Sequence, residues 1–201
     1  MNGRTDELIT HPSLLLRVRN ARDNGAWNEF VEVYGPLIFS YCRLRRIQES
    51  DAADVAQEVL MRLASALRQF EYQPELGRFR DWLGTVTHRE LLRFWGRQRA
   101  MQSLPESDSA GGAPTTEDVS QWTEHFQAEL LRLSLERIRS EFTDQTWGAF
   151  QLAWFENLSP ADVASKLGIG IEKVYVAKSR VLKRLRDEVL RLSEDLPVAN
   201  L

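Results

Sequence analysis

Arg89, Arg93 and Arg97 recur at four-residue steps in the segment RFRDWLGTVTHRELLRFWGRQR, which also carries Trp82 and Trp95. On an α-helix that spacing stacks three guanidinium groups along one face. Arginines in such a row can bind successive phosphates, and indoles beside them can stack on unpaired bases. Arg78, Arg80, Arg89, Arg93, Arg97 and Arg99 against Asp81 and Glu90 leave this segment at +4. The same pattern suits a solvated helix face over an aromatic core, and Trp82 fits either reading.

A second cluster lies near the C-terminus, in LSPADVASKLGIGIEKVYVAKSRVLKRL from Leu158 to Leu185. Ser159 is a capping hydroxyl, Pro160 suits the first helical position and Asp162 the first turn, so a helix is expected to start there. Gly168 supplies its stop. A new helix is expected from Ile171, with Val174, Ala177, Val181 and Leu185 as its inner stripe. Between Ile171 and Arg191 there are seven lysines and arginines against Glu172, Asp187 and Glu188, again +4. Two helices joined by a short turn match a helix-turn-helix, whose second helix enters the major groove of DNA. A purely structural helical hairpin has the same pattern.

Composition sets the frame for both clusters. The chain has 201 residues, 43% of them hydrophobic, with a formal charge of −3 that hides the two basic segments. Cys42 is the single cysteine, so no internal disulfide can form, and it reads as a small buried apolar residue. His11, His88 and His125 are too scattered for a ligand set, and no metal or cofactor is expected. No glycine-rich phosphate loop or nucleophile–base pairing supports an enzyme. No apolar run approaches the length of a membrane span, and the polar start MNGRTDE lacks a secretory core, so a cytoplasmic protein is expected.

Helices must position these residues, because no stretch alternates with a period of two. Trp27, Phe30, Val31, Tyr34, Ile38, Tyr41 and Leu44 predict a helix with a kink at Gly35-Pro36. Val55, Val59, Leu63 and Leu67 predict another, capped by Ser50 or Asp51. After a loop, FEYQPELG, the basic aromatic helix runs from about Arg78 to Arg97. Gln102 to Gln127 contains no Lys or Arg but five acids, two prolines and a Gly-Gly pair, and its first part, to about Ser120, reads as a flexible linker. Beyond it, Leu130, Leu131, Leu135 and Ile138 mark one helix, and Trp147, Phe150 and Trp154 another behind Thr143 or Asp144. The expected fold is all-α: two small helical domains, residues 1–101 and 128–201, joined by an acidic linker at 102–127. The second is a four-helix domain containing the helix-turn-helix.

These segments, in this order, resemble the bacterial RNA polymerase sigma factors of the extracytoplasmic-function type. DVAQEVLMRLA, from Asp54 to Ala64, is similar to the family's DLVQEVFLRLW, and the basic aromatic helix follows it. LSPADVASKLGIGIEKVYVAKSRVLKRLR is similar to LSYEEIAEILGISVGTVKSRLSRARKRLR without a gap. The likeness runs from about Asp23 to Leu192.

The resemblance implies that the helix around Asp54 docks on the clamp helices of the polymerase largest subunit, through Asp51, Asp54, Val55, Gln57, Glu58, Met61 and Arg62. It implies capture of the promoter −10 element as a single strand by Tyr72, Arg78, Trp82, Thr85, His88, Arg89, Arg93, Trp95 and Arg97, with the loop from Phe70 to Gly77 helping to hold a flipped base. It implies duplex reading of the −35 element by Ile171, Glu172, Lys173, Tyr175, Val176, Lys178, Ser179, Arg180 and Lys183. The family's second domain works against the polymerase flap region, and many members are held by an anti-sigma protein. Where the family commonly has Lys-Ser-Arg in the recognition helix this chain has Tyr175, Val176 and Ala177, and His88-Arg89 stands where Arg-Asn is common, so promoter bases do not carry over. An autonomous helix-turn-helix regulator would account for the second domain but not for DVAQEV or the basic aromatic helix. Substituting Lys178 or Arg180 with Ala is expected to lower promoter-dependent transcription in vitro, and full activity in both variants would contradict the recognition-helix placement.

Overall fold

The computed structural model describes residues 14–20, 22–68, 79–101 and 113–193. Among them are eight helices and no strand: α1 (Leu14–Val18), α2 (Asn24–Leu44), α3 (Glu49–Leu67), α4 (Phe79–Met101), α5 (Thr116–Arg139), α6 (Asp144–Trp154), α7 (Pro160–Leu167) and α8 (Ile171–Ser193). None of the described helices is long and apolar enough to cross a membrane. The chain divides into two units between Ser120 and Gln121, within α5.

In the first unit, the expected apolar spacing does bury one face of α2. Phe30, Tyr34, Ile38 and Tyr41 are buried, while Leu44, counted with them in the sequence, is solvent-exposed beyond the last buried turn. Asp23 caps α2, its Oδ1 accepting from the Ala26 amide at 2.8 Å. The helix continues through Pro36, which lies on the exposed side, so the carbonyl it deprives of a donor is on the face that water reaches. α3 lays Val55, Val59, Leu63 and Leu67 against this core. It begins at Glu49 behind Gln48, which makes no side-chain cap. Ser50 and Asp51 are therefore inside the first turn, where Glu49 and Asp51 complement the positive end of the helix dipole. Phe79 of α4 meets Phe30 and Tyr34 edge-on at 6.1 and 5.4 Å. Such pairs add about 0.5–1.5 kcal/mol each to the burial term. α1 packs on α2 through Leu14, Leu15 and Val18, and Arg17 reaches Glu29 at 3.0 Å.

The acidic stretch becomes helical earlier than its composition suggests. Residues 102–112 lie outside the described set, but from Thr116 the chain is α5. Thr115 and Asp118 form a reciprocal cap: the Asp118 amide donates to Thr115 Oγ1 at 3.1 Å, and Asp118 Oδ2 accepts from the Thr115 amide at 3.0 Å. An absence of lysine and arginine says nothing against a helix once its orphan amides are satisfied.

The second unit is built around α8. Val181 and Leu185 pack with Ile138, Trp147 and Phe150, while Val174 and Ala177 pack with Ala149, Val163 and Ala164. Thr143 caps α6 and Ser159 caps α7, each accepting from an amide three residues on. Gly168 ends α7 at φ 63°, a left-handed conformation that costs other residues about 1 kcal/mol or more. Ser159 Oγ accepts from the Asp162 amide at 3.2 Å and donates to its carboxylate at 2.6 Å. Replacing Ser159 with Ala is expected to cost about 1 kcal/mol, read as a lower urea midpoint with an unchanged slope.

Candidate polymerase and nucleic-acid surfaces

The solvent face of α3 is acid, amide and thioether. Asp54 and Gln57 are exposed, Asp51 and Glu58 are half-buried, and Met61 is 52% exposed. Asp54, Gln57, Glu58 and Met61 stand at steps of three and four, so they share one side of the helix. A large uncovered methionine beside acids and an amide makes an adaptable docking face. Val55 is not part of it. At 2% exposure it belongs to the core stripe, and only its place within the motif put it among the expected contact residues.

On α4, Arg89, Arg93 and Arg97 are exposed along one side. Trp82 is half-buried and tilted against Phe79 at 5.6 Å, giving it a core side and a solvent side. Thr85 turns its hydroxyl back to the Asp81 carbonyl at 3.0 Å. Trp95 is half-buried, with the Arg45 guanidinium 5.8 Å from its ring centre. His88 is 7% exposed and its Nδ1 is buried without a hydrogen bond. Burial pushes its pKa down, Asp118 opposes this and Arg45 adds to it, so the imidazole is neutral near pH 7. His88 therefore brings no cation to a phosphate, and the expectation of a contact there is corrected. Tyr72, Arg78 and the loop from Phe70 to Gly77 lie outside the described residues.

Arg45 and Asp118 were not singled out in the sequence. They pair at 2.8 Å with little of either side chain exposed. Burial alone would raise the Asp118 carboxyl, but hydrogen bonds from Thr115 and the charge of Arg45 hold it below the usual range. Burial also pushes the Cys42 thiol up to about 12, which leaves it protonated and inert as expected of a core cysteine.

In the second unit three residues, Gly168 to Gly170, separate α7 from α8. The first four turns of α8 turn Ile171, Glu172, Lys173, Tyr175, Val176, Ser179, Arg180 and Lys183 outward, with Tyr175 at 59% exposure. Lys178 is half-buried, its Nζ 5.7 Å from the centre of the Trp154 ring. Trp154 in turn stacks on the buried Phe150 at 6.2 Å. A cation held over an indole loses freedom without losing charge. Trp154 carried no sequence signal for this role, because it lies 24 positions before Lys178 on another helix.

Here the comparisons with known proteins bear on the geometry. Residues 30–101 match the family model Sigma-70 region 2. The chain is 31% identical over 180 residues to the ECF RNA polymerase sigma factor SigD of Mycobacterium tuberculosis, covering 85% of this chain and 80% of that one. The chain is an extracytoplasmic-function sigma factor. Other relatives of this sigma factor are RNA polymerase sigma factor YlaC of Bacillus subtilis, 24% identical over 81% of this chain and 91% of YlaC, and the ferric citrate uptake sigma factor FecI of Escherichia coli, 28% identical over 67% and 76%. Its partner is core RNA polymerase, and its activity is to direct promoter-specific transcription initiation.

The basic character of the sigma factor's last helix is sorted by its ion pairs. Arg184 binds both oxygens of Glu141 at 2.7 Å and reaches Glu188 at 3.1 Å, and Arg191 reaches Glu188 at 2.7 Å. Those two cations are matched by acids of the fold, although half of the Arg191 side chain stays exposed, and further outward charge comes from Lys173, Lys178, Arg180, Lys183 and Arg186. Glu188 is 2% exposed, and burial alone would raise its pKa. Hydrogen bonds and charges from Arg191 and Arg184 outweigh this and hold it below the ordinary 4.5. A depressed folded pKa gives stability that is complete above the unfolded value and lost as the pH falls through the folded one. Glu188→Gln is expected to lower the urea midpoint at pH ~7 and to flatten its decline as the pH falls below the ordinary 4.5.

Proposed function

We propose that this sigma factor divides its work among three exposed faces. The side of α3 bearing Asp51, Asp54, Gln57, Glu58, Met61 and Arg62 docks on the clamp helices of the polymerase largest subunit. The arginine row of α4, with Trp82 and Trp95, captures the −10 element as a single strand, phosphates on the guanidiniums and bases against the indoles. The N-terminal half of α8 reads the −35 element in the major groove, with the second unit set against the flap region. No step makes or breaks a bond, and the setting is the cytoplasm, where polymerase and promoter are.

The observation that carries this reading is the segregation of exposed chemistry. Acid, amide and methionine occupy α3, guanidinium and indole occupy α4, and lysines with Tyr175 and Val176 occupy the start of α8, while the arginines near the end of α8 are consumed by Glu141 and Glu188. An autonomous regulator would have no use for the α3 face.

Three further roles go with this reading. Residues 1–101 and 128–201 act as the region 2-like and region 4-like domains. The acidic segment from 102 crosses the positively charged polymerase interior, where its own charge discourages stray nucleic acid. An anti-sigma protein able to cover the α3 and α8 faces would block both steps.

Capture of core RNA polymerase on the tagged sigma factor tests the first face. The wild type is expected to retain core stoichiometrically, and the Gln57→Ala, Glu58→Ala double variant to lose most of it with its helical signal intact. Equal capture by both would remove α3 from the polymerase interface. No capture by either would favour an autonomous DNA-binding regulator.

A further inference from the structure

Glu90 is an acid in the most basic segment of the chain, yet it is 2% exposed. It lies on the inner side of α4 beside Thr87 and Leu91, both of them fully buried. Its Oε1 accepts from Nε of Arg62 on α3 and from an Nη of Arg93 one turn along α4. A carboxylate removed from water persists as an anion only with such partners. Both arginine side chains remain 49% exposed. Each guanidinium has five donors in a rigid plane, so anchoring one edge on Glu90 aims the other edge outward.

The two outward edges belong to different faces. Arg62 follows Met61 and stands four residues after Glu58, on the α3 side read as the polymerase contact. Arg93 is the middle member of the Arg89, Arg93, Arg97 row on α4. Arg62 is held from across the α3–α4 contact, and Arg93 from one turn back on its own helix. One buried oxygen fixes both.

We propose that Glu90 is a positioning residue that presents Arg62 to the polymerase and Arg93 to the −10 strand from a single shared anchor. This rests on the assignment of faces made above. Glu90 touches neither partner. It removes rotamer freedom from two long side chains before either partner arrives, and it keeps the two cations from repelling each other. Without the anion, each arginine would be ordered only at the moment of binding, against the field of its neighbour.

The test is a pair of double-mutant cycles on the full chain. Fluorescence anisotropy of the labelled sigma factor would give affinity for core polymerase in the wild type, Arg62→Ala, Glu90→Gln and the combined variant. Holoenzyme affinity for a fluorescein-labelled, mixed-sequence single-stranded oligonucleotide, with core alone as the blank, would give the second cycle with Arg93→Ala. Glu90→Gln is expected to weaken each interaction about three- to tenfold, the range implied by freeing one such side chain. Each arginine variant is expected to cost little more once Glu90 is gone.

Additive losses in both cycles, or a lower melting temperature with both affinities unchanged, would overturn the proposal, because a merely structural glutamate predicts that pattern. If Arg62→Ala and Arg93→Ala cost nothing in the wild-type background, the assignment of faces fails and the proposal fails with it. Weakening by both arginine variants alongside additive cycles would leave the faces standing and sink only the role of Glu90. Should Glu90→Gln not fold, Glu90→Asp keeps the charge on a side chain one methylene shorter, and the same non-additivity is required of it.

Discussion

A carboxylate taken out of water must bring its cations with it, and each unit of this sigma factor is tied together by one that does. Glu90 draws Arg62 from α3 to α4, and Glu188 gathers Arg184 and Arg191 near the end of α8, with Arg137 of α5 at 3.8 Å. Apolar stripes decide which faces of the helices meet, but an apolar stripe tolerates sliding and rotation. A buried anion with two directional donors does not. Between helices, that restraint is Arg62 on Glu90 for α3 and α4, and Arg137 on Glu188 together with Arg184 on Glu141 for α8.

That arrangement also separates two uses of arginine that look alike in a sequence. Arg89 and Arg97 project from α4 as surface cations, whereas Arg184 and Arg191 are structural in spite of lying in an equally basic segment. Net positive charge along α8 overstates what a duplex would feel toward its C-terminal end. The charge that remains runs along α8 from Lys173 to Arg186, starting beside the turn where a recognition helix meets the groove.

Much of the fold was legible because it depends on short-range periodicity. The stripes Val55–Val59–Leu63–Leu67 and Val174–Ala177–Val181–Leu185 are buried as their spacing required, and Ser159, Pro160 and Gly168 start and stop α7 as their backbone preferences dictate. What was not legible depends on contacts between distant residues. Glu90 meets Arg62 28 positions away, Arg184 meets Glu141 43 positions away, and Lys178 meets Trp154 across two helices. Val55, already in the apolar stripe, and His88 were counted among contact residues by their positions in family motifs, while side-chain burial follows the helix face and not the motif. The start of α5 was read from composition as linker, because a cap made by Thr115 and Asp118 leaves no hydrophobic signature.

Asp118 has one carboxylate and two obligations. Oδ2 closes the cap that starts α5, and Oδ1 pairs with Arg45 at the end of α2. Nucleating a helical turn is the costly step in forming a helix, and here the group that relieves that cost also fastens the turn to its neighbour. Winding and docking therefore draw on the same side chain. Pulling Asp118 away from Arg45 strips the helix of an anchor, and unwinding the first turn takes the anion away from Arg45. The cap that starts α5 and its tie to the end of α2 thus share one carboxylate, and a change at Asp118 removes both.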